Sequence, residues 1–460
     1  MGSYRRRIHL PTESMKIIIA GSGDIGFHLA ELLASENQDI ILIDTNPEVL
    51  EYAAIHLDVM TVKGDASSME ILEAAEVQKA KLLIAVTTSE KTNLLTAMLA
   101  KRMGAKRTIA RVKTSDYLSE KSKEAFHELG VDTLISPNDL AAYEIHRLID
   151  ECNFTDIFEF EDGKIKLVGI TLNDQSPIIN IPLRRIDAFA DQNKLMPIAI
   201  LRGYKTIIPR GDTIMKRGDH VYFIVEKNNM DLLEKIIDAP QVKMQNVMII
   251  GGTQLGMSAA KCLEKEYQVT LIEKDKERCK ELAEELDNTL IIHGDNANID
   301  LLESEGLNEM DAFLALTQNS ETNIIASLTA KNHGVHKTIA QVENREYIHL
   351  SQNIGVDTLI NRKLIAANNI FRFVRKGRIE AITSLHGVDA EVIEYVVHKN
   401  NHLTKYPLRK LHLPETSLIG GVIRGEESII PSGDFQLQKD DKVIVFALPQ
   451  SISKLDKLFR

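Results

Sequence analysis

The chain repeats itself, and the repeat limits the folds open to it. KIIIAGSGDIG at Lys16–Gly26 returns as NVMIIGGTQLG at Asn246–Gly256, 230 residues further on. At the same offset of 230, KGDAS at 63–67 returns as HGDNA at 293–297, and TNLLTAMLAKRMGAKRTIARV at 92–112 as TNIIASLTAKNHGVHKTIAQV at 322–342. GVDTLIS at Gly130 recurs as GVDTLIN at Gly355, and IIPRGD at Ile207–Asp212 as IIPSGD at Ile429–Asp434, with offsets of 225 and 222. Five matches in one order, with slowly drifting spacing, mark an internal duplication. At 460 residues the chain also exceeds one ordinary core.

Each repeat reads as two lobes. In the first lobe, short β-branched runs alternate with amphipathic helical stretches: Lys16–Ala20, Ile40–Ile43, Val59–Val62, Leu82–Val86, Thr108–Val112 and Asp132–Ile135. That alternation predicts an α/β fold, with a Rossmann-like, doubly wound parallel sheet in each repeat. A helix over Asp139–Glu151, apolar at Leu140, Tyr143, Ile145 and Leu148, leaves the sheet. A small α+β lobe follows, in which Gly211-Asp212 and Gly218-Asp219 read as turns flanking a short strand before VYFIV. The expected organisation is a first Rossmann-like lobe at 15–137, a linking helix at 138–159 and a small lobe at 160–240. The second repeat follows at 244–362, 363–377 and 378–460, and no low-complexity linker parts the halves, so they are expected to pack. Met1–Ser14 carries three arginines without an apolar run after them and reads as a vector-derived leader, with the natural start at Met15.

Composition removes several function classes. A net charge of -11 argues against nucleic acid as a partner, and 5% aromatics with no tryptophan leaves little to stack on bases. No apolar run reaches the ~18 residues needed to span a bilayer. Cys152, Cys262 and Cys279 are widely separated, which gives no disulfide framework or zinc motif and fits a reducing cytoplasm.

The chemistry sits after the first strand. Gly21-Ser22-Gly23-Asp24-Ile25-Gly26 follows a hydrophobic strand and opens a helix, the context that makes a G-x-G-x-x-G match specific. Gly21 permits the tight turn, Gly23 lets the backbone approach a pyrophosphate, and Gly26 lets helix and strand pack closely. The helix N-terminus then offers free N–H groups to phosphate. Asp44 ends the second strand 18 residues later, where a carboxylate accepts from ribose hydroxyls and repels the extra phosphate of NADP. An adenine dinucleotide or adenosine phosphate is the expected ligand.

Four further residues stand at carboxyl ends of strands, each with two readings. Asp65, in a G-D turn, could meet the adenine edge or cap the helix beginning at Ser67 or Ser68. Thr87 and Thr88 could donate to phosphate or ribose, or cap the strand end. Arg111, on a strand, needs an anion: a ligand phosphate or a protein carboxylate. In the second repeat the loop is Gly251-Gly252-Thr253-Gln254-Leu255-Gly256, with Thr253 in the place of Gly23. Glu273 replaces Asp44, Gln341 replaces Arg111, and Asp295 and Thr317 keep the places of Asp65 and Thr87. This second site binds more weakly, prefers another nucleotide, or stays empty; the first repeat is expected to be the main sensor and the second mostly structural.

KIIIAGSGDIG, Asp44, KGDAS, TTSEKTN and TIARV together resemble the TrkA family of potassium-uptake regulators, and the duplicated arrangement resembles its tandem form from Met15 to Arg460. The resemblance implies the regulator-of-potassium-conductance fold, with TrkA-N and TrkA-C lobes assembled as a ring, a homotetramer. It implies a membrane-embedded Trk-type potassium transport subunit as partner, at the inner face of the cell membrane. It implies binding of NAD(H), with ATP or ADP as competing ligands, and contacts from Gly21 to Ile25, Asp44, Thr87, Thr88 and Arg111. The family usually opens its second loop with three glycines, and Thr253 departs from that pattern.

The rival reading is an NAD-dependent oxidoreductase, which needs a general acid or base beside the nicotinamide. No Lys or His stands in matched places in both small lobes; the nearest matched pair, Arg202 and Arg424, could bind an anion but cannot act as a base. A DNA-binding redox sensor is a third reading, weakened by the acidity and by the lack of a helix-turn-helix segment.

Overall fold

The computed structural model describes residues 15–34, 38–113, 115–160, 163–174, 176–188, 195–203, 205–236, 243–344, 347, 355–375, 382–384, 390–398 and 402–459. The expected leader, Met1–Ser14, lies outside the described residues. The chain divides into two compact units: one runs to Leu140 and includes Arg362–Val374, and the other comprises Ala141–Asn361 and Arg375 onward.

In the first unit β1 (Lys16–Ala20), α1 (Asp24–Ala34), β2 (Asp39–Asp44), α2 (Pro47–His56), β3 (Met60–Lys63) and α3 (Met69–Ala74) form one half of the sheet's wrapping. The other half is β4 (Leu82–Ala85), α4 (Glu90–Met103), β5 (Arg107–Arg111), α5 (Glu120–Glu128), β6 (Thr133–Ile135) and the start of α6 (Pro137–Asp150). The strands lie in the order β3-β2-β1-β4-β5-β6, all parallel. β1 and β4 are continuous apolar runs buried on both faces, as central parallel strands must be when helices cover both sides. Ile18, Ile41 and Leu83 of the strands pack with Leu72 of α3 and Ala100 of α4 in one core. Caps fix the helix starts: Asn46 Oδ1 accepts the Glu48 N–H at 2.9 Å, and Ser89 Oγ accepts the Thr92 N–H at 3.2 Å. The strand order reverses between β1 and β4, which opens a crevice at their carboxyl ends.

The second unit holds the first small lobe: β7 (Asp156–Phe160), β8 (Ile165–Thr171), β9 (Leu195–Arg202), β10 (Lys205–Ile207), β11 (His220–Glu226) and α7 (Met230–Ile236). Its Rossmann-like half is β12 (Asn246–Ile250), α8 (Gln254–Leu263), β13 (Gln268–Glu273), α9 (Lys276–Glu285), β14 (Thr289–His293), α10 (Ile299–Ser304), β15 (Ala312–Ala315), α11 (Ser320–Asn332), β16 (Lys337–Gln341) and β17 (Thr358–Ile360). The next helix, α12 (Arg362–Arg375), is counted up to Val374 with the first unit. The last lobe is β18 (Ile382–Ser384), β19 (Glu391–Val396), α13 (His402–Lys405), β20 (Ser417–Arg424), β21 (Glu427–Ile429), β22 (Lys442–Ala447) and α14 (Pro449–Phe459). The parallel sheet repeats the first order as β14-β13-β12-β15-β16-β17, and the small sheets are antiparallel, β10-β9-β11-β8-β7 and β18-β19-β22-β20-β21.

The two small sheets share one core, in which Phe160, Ile165, Leu167, Tyr222 and Ile224 meet Val392, Ile423, Ile444 and Phe446. Gly420 allows the approach, since a Cβ there would overlap Ile224 Cδ1. Three details differ from the sequence reading. The linking helix expected over 138–159 ends at Asp150, and β7 begins at Asp156 within that span. Between Gly211 and Gly218 only a single bridge forms, Ile214 to Pro182, and the hairpin is β9–β10, turning through Gly203 at φ +60°. On α6, Tyr143 is 65% exposed, while Ala141, Ala142, Ile145, Leu148 and Ile149 are buried; the small alanines, not the tyrosine, form the packed stripe.

Candidate nucleotide-binding site

β1 delivers the chain into Gly21 at φ +103°, where its N–H donates to Ile43 O at 2.8 Å. A Cβ at Gly21 would stand 2.8 Å from the Thr87 nitrogen, so the loop lies tight against the end of β4. A Cβ on Gly26 would overlap the Gly21 carbonyl oxygen. Gly23 is different: a Cβ there meets no atom within 4 Å. The fold requires the outer glycines, whereas the bare Cα of the middle one faces open space. Ile25 is buried and anchors the first turn of α1. Asp44 Oδ2 accepts the Ser22 N–H at 2.7 Å and Oδ1 the Asn46 N–H at 2.9 Å, which fixes the carboxylate beside the loop while each oxygen keeps acceptor capacity.

Across the crevice, Thr87 is held by Asn93. Asn93 Oδ1 accepts from the Thr87 N–H at 2.8 Å and from Thr87 Oγ1 at 2.7 Å, and its Nδ2 donates to Thr87 O at 3.1 Å and to Arg111 O at 2.9 Å. Thr88 next to it is exposed. Asp65 lies beyond the Gly64 N–H bond to Asp44 O, but Oδ1 of its carboxylate takes the Ser67 N–H at 2.9 Å and Ser67 Oγ at 2.7 Å. Those two bonds, backbone first, lower its pKa and tie Asp65 into its own turn; the helix expected from Ser67 or Ser68 begins instead at Met69, with Ser68 at its N-cap, so Asp65 does not cap it. Arg111 ends β5 half-buried, and its Nε finds no hydrogen-bond partner among the described residues. Burial, and then the charge of Arg362 nearby, push its pKa below the usual arginine value. The Ser22 hydroxyl, on a residue 4% exposed, is likewise without a partner. Asp24 pairs with Lys363 Nζ of α12 at 2.6 Å.

The second loop has the same backbone. Gly251 stands at φ +100° with its would-be Cβ 2.8 Å from the Thr317 nitrogen, and a Cβ on Gly256 would overlap Gly251 O. Asn323 clamps Thr317 and Gln341 O as Asn93 clamps Thr87 and Arg111 O. The side chains differ. Thr253 caps α8, accepting the Gly256 N–H at 3.1 Å and donating to Leu316 O at 2.8 Å. Glu273, 7% exposed, accepts the Gly252 N–H at 2.6 Å and the Asp275 N–H at 2.8 Å. Arg278 Nε donates to Gly252 O at 2.7 Å. Gln341 Nε2 donates to Glu343 Oε1 at 3.0 Å. Asp295 is bound to its own turn through the Ala297 N–H at 3.0 Å.

Comparison with known proteins agrees with this arrangement of lobes. The TrkA-N domain model matches residues 17–137 and 247–362, and the TrkA-C domain model matches 167–238 and 392–460. The Trk system potassium uptake protein TrkA homolog of Archaeoglobus fulgidus is 35% identical over 447 residues, covering 97% of this chain and 100% of that one. The chain belongs to the TrkA family. The Trk system potassium uptake protein TrkA of Halomonas elongata is 33% identical over 451 residues, 97% of this chain and 99% of that one. Among solved structures, the GsuK RCK domain superposes with a TM-score of 0.59 at 16% identity, covering 99% of this chain and 98% of that one. The GsuK channel bound to NAD gives 0.58 at 16%, covering 99% and 81%. At that identity the two solved structures speak for the fold alone.

Within this TrkA-family chain, Arg202 and Arg424 are not open anion sites. Arg202 forks onto buried Asp219, Nε to Oδ1 and Nη2 to Oδ2, each at 2.7 Å, and Arg424 does the same to Asp441 at 2.8 Å. The sequence reading missed Asn93 and Asn323, although the shared Thr-Asn spacing in TTSEKTN and TQNSETN carried the signal. It also missed Arg278, five residues beyond the end of β13, and Lys363, 339 residues from Asp24.

Proposed function

We propose that this chain is the regulatory, nucleotide-sensing subunit of a Trk-type potassium-uptake system, gating a membrane-embedded transport subunit from the inner face of the membrane. NAD(H) is the ligand of the first repeat, with ATP and ADP as competitors. The observation that carries the reading is Gly23: bare, facing open space, and flanked by an Asp44 carboxylate held for ribose and by two unpartnered buried donors, Ser22 Oγ and Arg111 Nε. Family membership supplies the potassium system. Gly21, Gly23 and the N-terminus of α1 take the pyrophosphate, Asp44 the adenosine ribose, and Thr87, Thr88 and Arg111 the far half of the ligand. No described helix is long and apolar enough to cross a membrane, so attachment is assigned to the partner subunit.

A ring of four copies fits the exposed Leu95 and Ile325, which occupy matched places on α4 and α11 and offer the same apolar contact twice per chain. A sensor is favoured over an oxidoreductase because the matched arginines of the small lobes are tied up in ion pairs.

The experiment is a titration of the purified chain with NADH, NAD, ADP, ATP and NADPH. NADH or NAD is expected to bind, NADPH at least tenfold more weakly, and Asp44→Ala to weaken NAD(H). Equal affinity for NADPH, or turnover of NADH with small carbonyl substrates, would overturn the reading. Light scattering at micromolar concentration is expected to give a tetramer, and a monomer would remove the ring.

A further inference from the structure

His146 and Asp150 stand four residues apart on α6, the linking helix of the first repeat, so both side chains leave the same face of that helix. Glu266, in the turn between α8 and β13, meets them from the second Rossmann-like lobe. All three belong to one compact unit, the one that begins at Ala141. His146 Nδ1 lies 3.1 Å from Asp150 Oδ2, and His146 Nε2 lies 3.4 Å from Glu266 Oε1. One nitrogen or oxygen from each of the three falls within 4.8 Å of the other two.

Tyr267 shapes this cluster from outside it. Its O–H donates to Asp150 Oδ1, which leaves Oδ2 turned to the imidazole, and its ring stands edge-on to His146 with centroids 6.2 Å apart. Burial, and then the bond to Asp150, raise the Tyr267 pKa, so the phenol stays a donor.

The charge of the cluster is unbalanced. A neutral imidazole donates from one nitrogen only, so its other nitrogen turns a lone pair toward a carboxylate oxygen. Two carboxylates then share one proton donor, and among the described residues no lysine or arginine pairs with Asp150 or Glu266. A divalent cation supplies what is missing, because it turns a lone pair and two carboxylates from mutually repelling acceptors into ligands. One imidazole with two carboxylates suits a borderline ion such as Zn2+, whereas Mg2+ prefers an all-oxygen shell and keeps its waters. Zinc bonds of about 2.0–2.2 Å place the ligands of a tetrahedral ion roughly 3.4 Å apart. The Asp150 and Glu266 side chains are 41% and 60% exposed, which leaves their carboxylates room to close to that spacing.

The set occurs once in the chain. At the offset of the GVDTLI blocks, Phe371 and Arg375 stand for His146 and Asp150, and at the offset of the glycine loops Glu36 and Asn37 stand for Glu266 and Tyr267. Duplication therefore does not account for it.

We propose that His146, Asp150 and Glu266 form a site for a zinc-class divalent cation, with water in the fourth position on the solvent side. The ion joins the first repeat's linking helix to the second repeat's α8–β13 turn. It braces the segment that leads into β7 and the first small lobe, and it does so independently of any nucleotide.

The test uses the full chain, stripped of metal with a chelator and titrated calorimetrically with ZnCl2 and MgCl2, before and after His146→Ala and Glu266→Gln. Zn2+ is expected to bind at least about a hundredfold more tightly than Mg2+. Each variant is expected to weaken Zn2+ at least tenfold, the lower end of what even an outer-shell partner contributes. Zn2+ should also raise the unfolding temperature of the unaltered chain and raise that of the variants less. Glu266→Gln keeps the side chain's size at an exposed position, so it decides the matter if His146→Ala does not fold. Failure of the stripped chain to bind Zn2+ overturns the site. Zn2+ binding and stabilisation that neither variant weakens place the ion on other histidines or cysteines, and overturn it equally. Mg2+ binding as tight as that of Zn2+ overturns the imidazole's part in it.

Discussion

The two glycine loops share a backbone and differ in what closes over it. In the first, a Cβ added at position 23 would meet nothing within 4 Å, and Asp44 accepts the Ser22 and Asn46 N–H groups. In the second, Thr253 ties the loop to Leu316 O and Gly256 N–H, the longer Glu273 is buried under Gly252, and Arg278 takes the Gly252 carbonyl. Side chains of the second repeat supply contacts that the first repeat leaves unmade. Among the described residues the second crevice keeps one unpartnered buried acceptor, Gln341 Oε1, whereas the first keeps a hydroxyl and a guanidinium Nε, and only donors such as these gain from a phosphate. The difference also assigns separate jobs to the glycines.

The largest effects test what the loops share. Gly26→Ala and Gly256→Ala each drive a Cβ into a backbone carbonyl at the strand–helix junction. Each is expected to destabilise its domain by more than about 3 kcal/mol in denaturant unfolding, from overpacking against backbone that cannot retreat. Near-native stability for either would break the equivalence of the two backbones. Neither reports on nucleotide alone, which leaves Gly23 as the informative glycine.

Next come the asparagine clamps. Asn93→Ala and Asn323→Ala leave buried Thr87/Arg111 and Thr317/Gln341 backbone groups unpaired, and about 2–4 kcal/mol is expected for each. Matched losses in thermal unfolding support a shared scaffold, and a loss in one repeat only would refute it.

Gly23→Ala separates the loops. With open space around the new methyl, the unfolding free energy should change by no more than about 1 kcal/mol, since the position is at a loop–helix junction. NADH affinity should fall at least tenfold because the methyl occupies the pyrophosphate approach. An unchanged affinity would mean that phosphate does not lie there. In the opposite direction, Thr253→Gly combined with Arg278→Ala opens the second loop, and nucleotide stoichiometry is expected to rise toward two per chain. A stoichiometry that stays at one shows that Gln341 in the place of Arg111, not the loop, closes that site.

The smallest effect concerns Glu76 and its counterpart Gly306. Both sit in the left-handed region, at φ 54° and 87°. Glycine adopts that region freely, while Glu76 is held there by ion pairs to Lys16 and Lys79. The Lys16 contact, then Lys79, pulls the Glu76 pKa down from 4.5 to about 2. A depressed carboxylate stabilises above its unfolded pKa and loses that contribution as pH falls from 4.5 to about 2. Glu76→Gly should therefore shift the unfolding temperature only slightly at pH 7. The gap should then move in favour of the variant as acid removes a contribution that only the wild type has. A gap that does not change with pH would show the pairs to be without effect.

Most of the parallel sheet was legible in the sequence. The six strands of the first lobe fall within one residue of the runs read for them; β1 and β4 are buried on both faces and need an unbroken apolar run, while the edge strand β3 is largely exposed and was marked by its β-branched residues. The small lobe was less legible: Gly211-Asp212 and Gly218-Asp219 flank a stretch that makes a single bridge, since turn chemistry marks where a chain bends and not which neighbour it then pairs with. Tyr143 shows the same limit on a helix. Periodicity placed it in the apolar stripe, but the packed face is lined by alanines that the pattern undervalues.

What the sequence determined by itself is local: the duplication, the glycine loops, and the carboxylate that ends the second strand of each parallel sheet. Each depends on backbone conformation within a few residues, and residue types report that directly. The tertiary structure decided which charged groups have partners. Arg202 is matched to Asp219 at 17 residues' separation and Lys363 to Asp24 at 339, while Arg111 Nε has no hydrogen-bond partner among the described residues. A side chain's charge is written in the sequence, but its electrostatic energy depends on distances to groups brought near by folding and on the water that folding removes. For that reason the first crevice could be located from its glycines, whereas the pairing of Asp24 with Lys363 could be recognised only once α12 was in place.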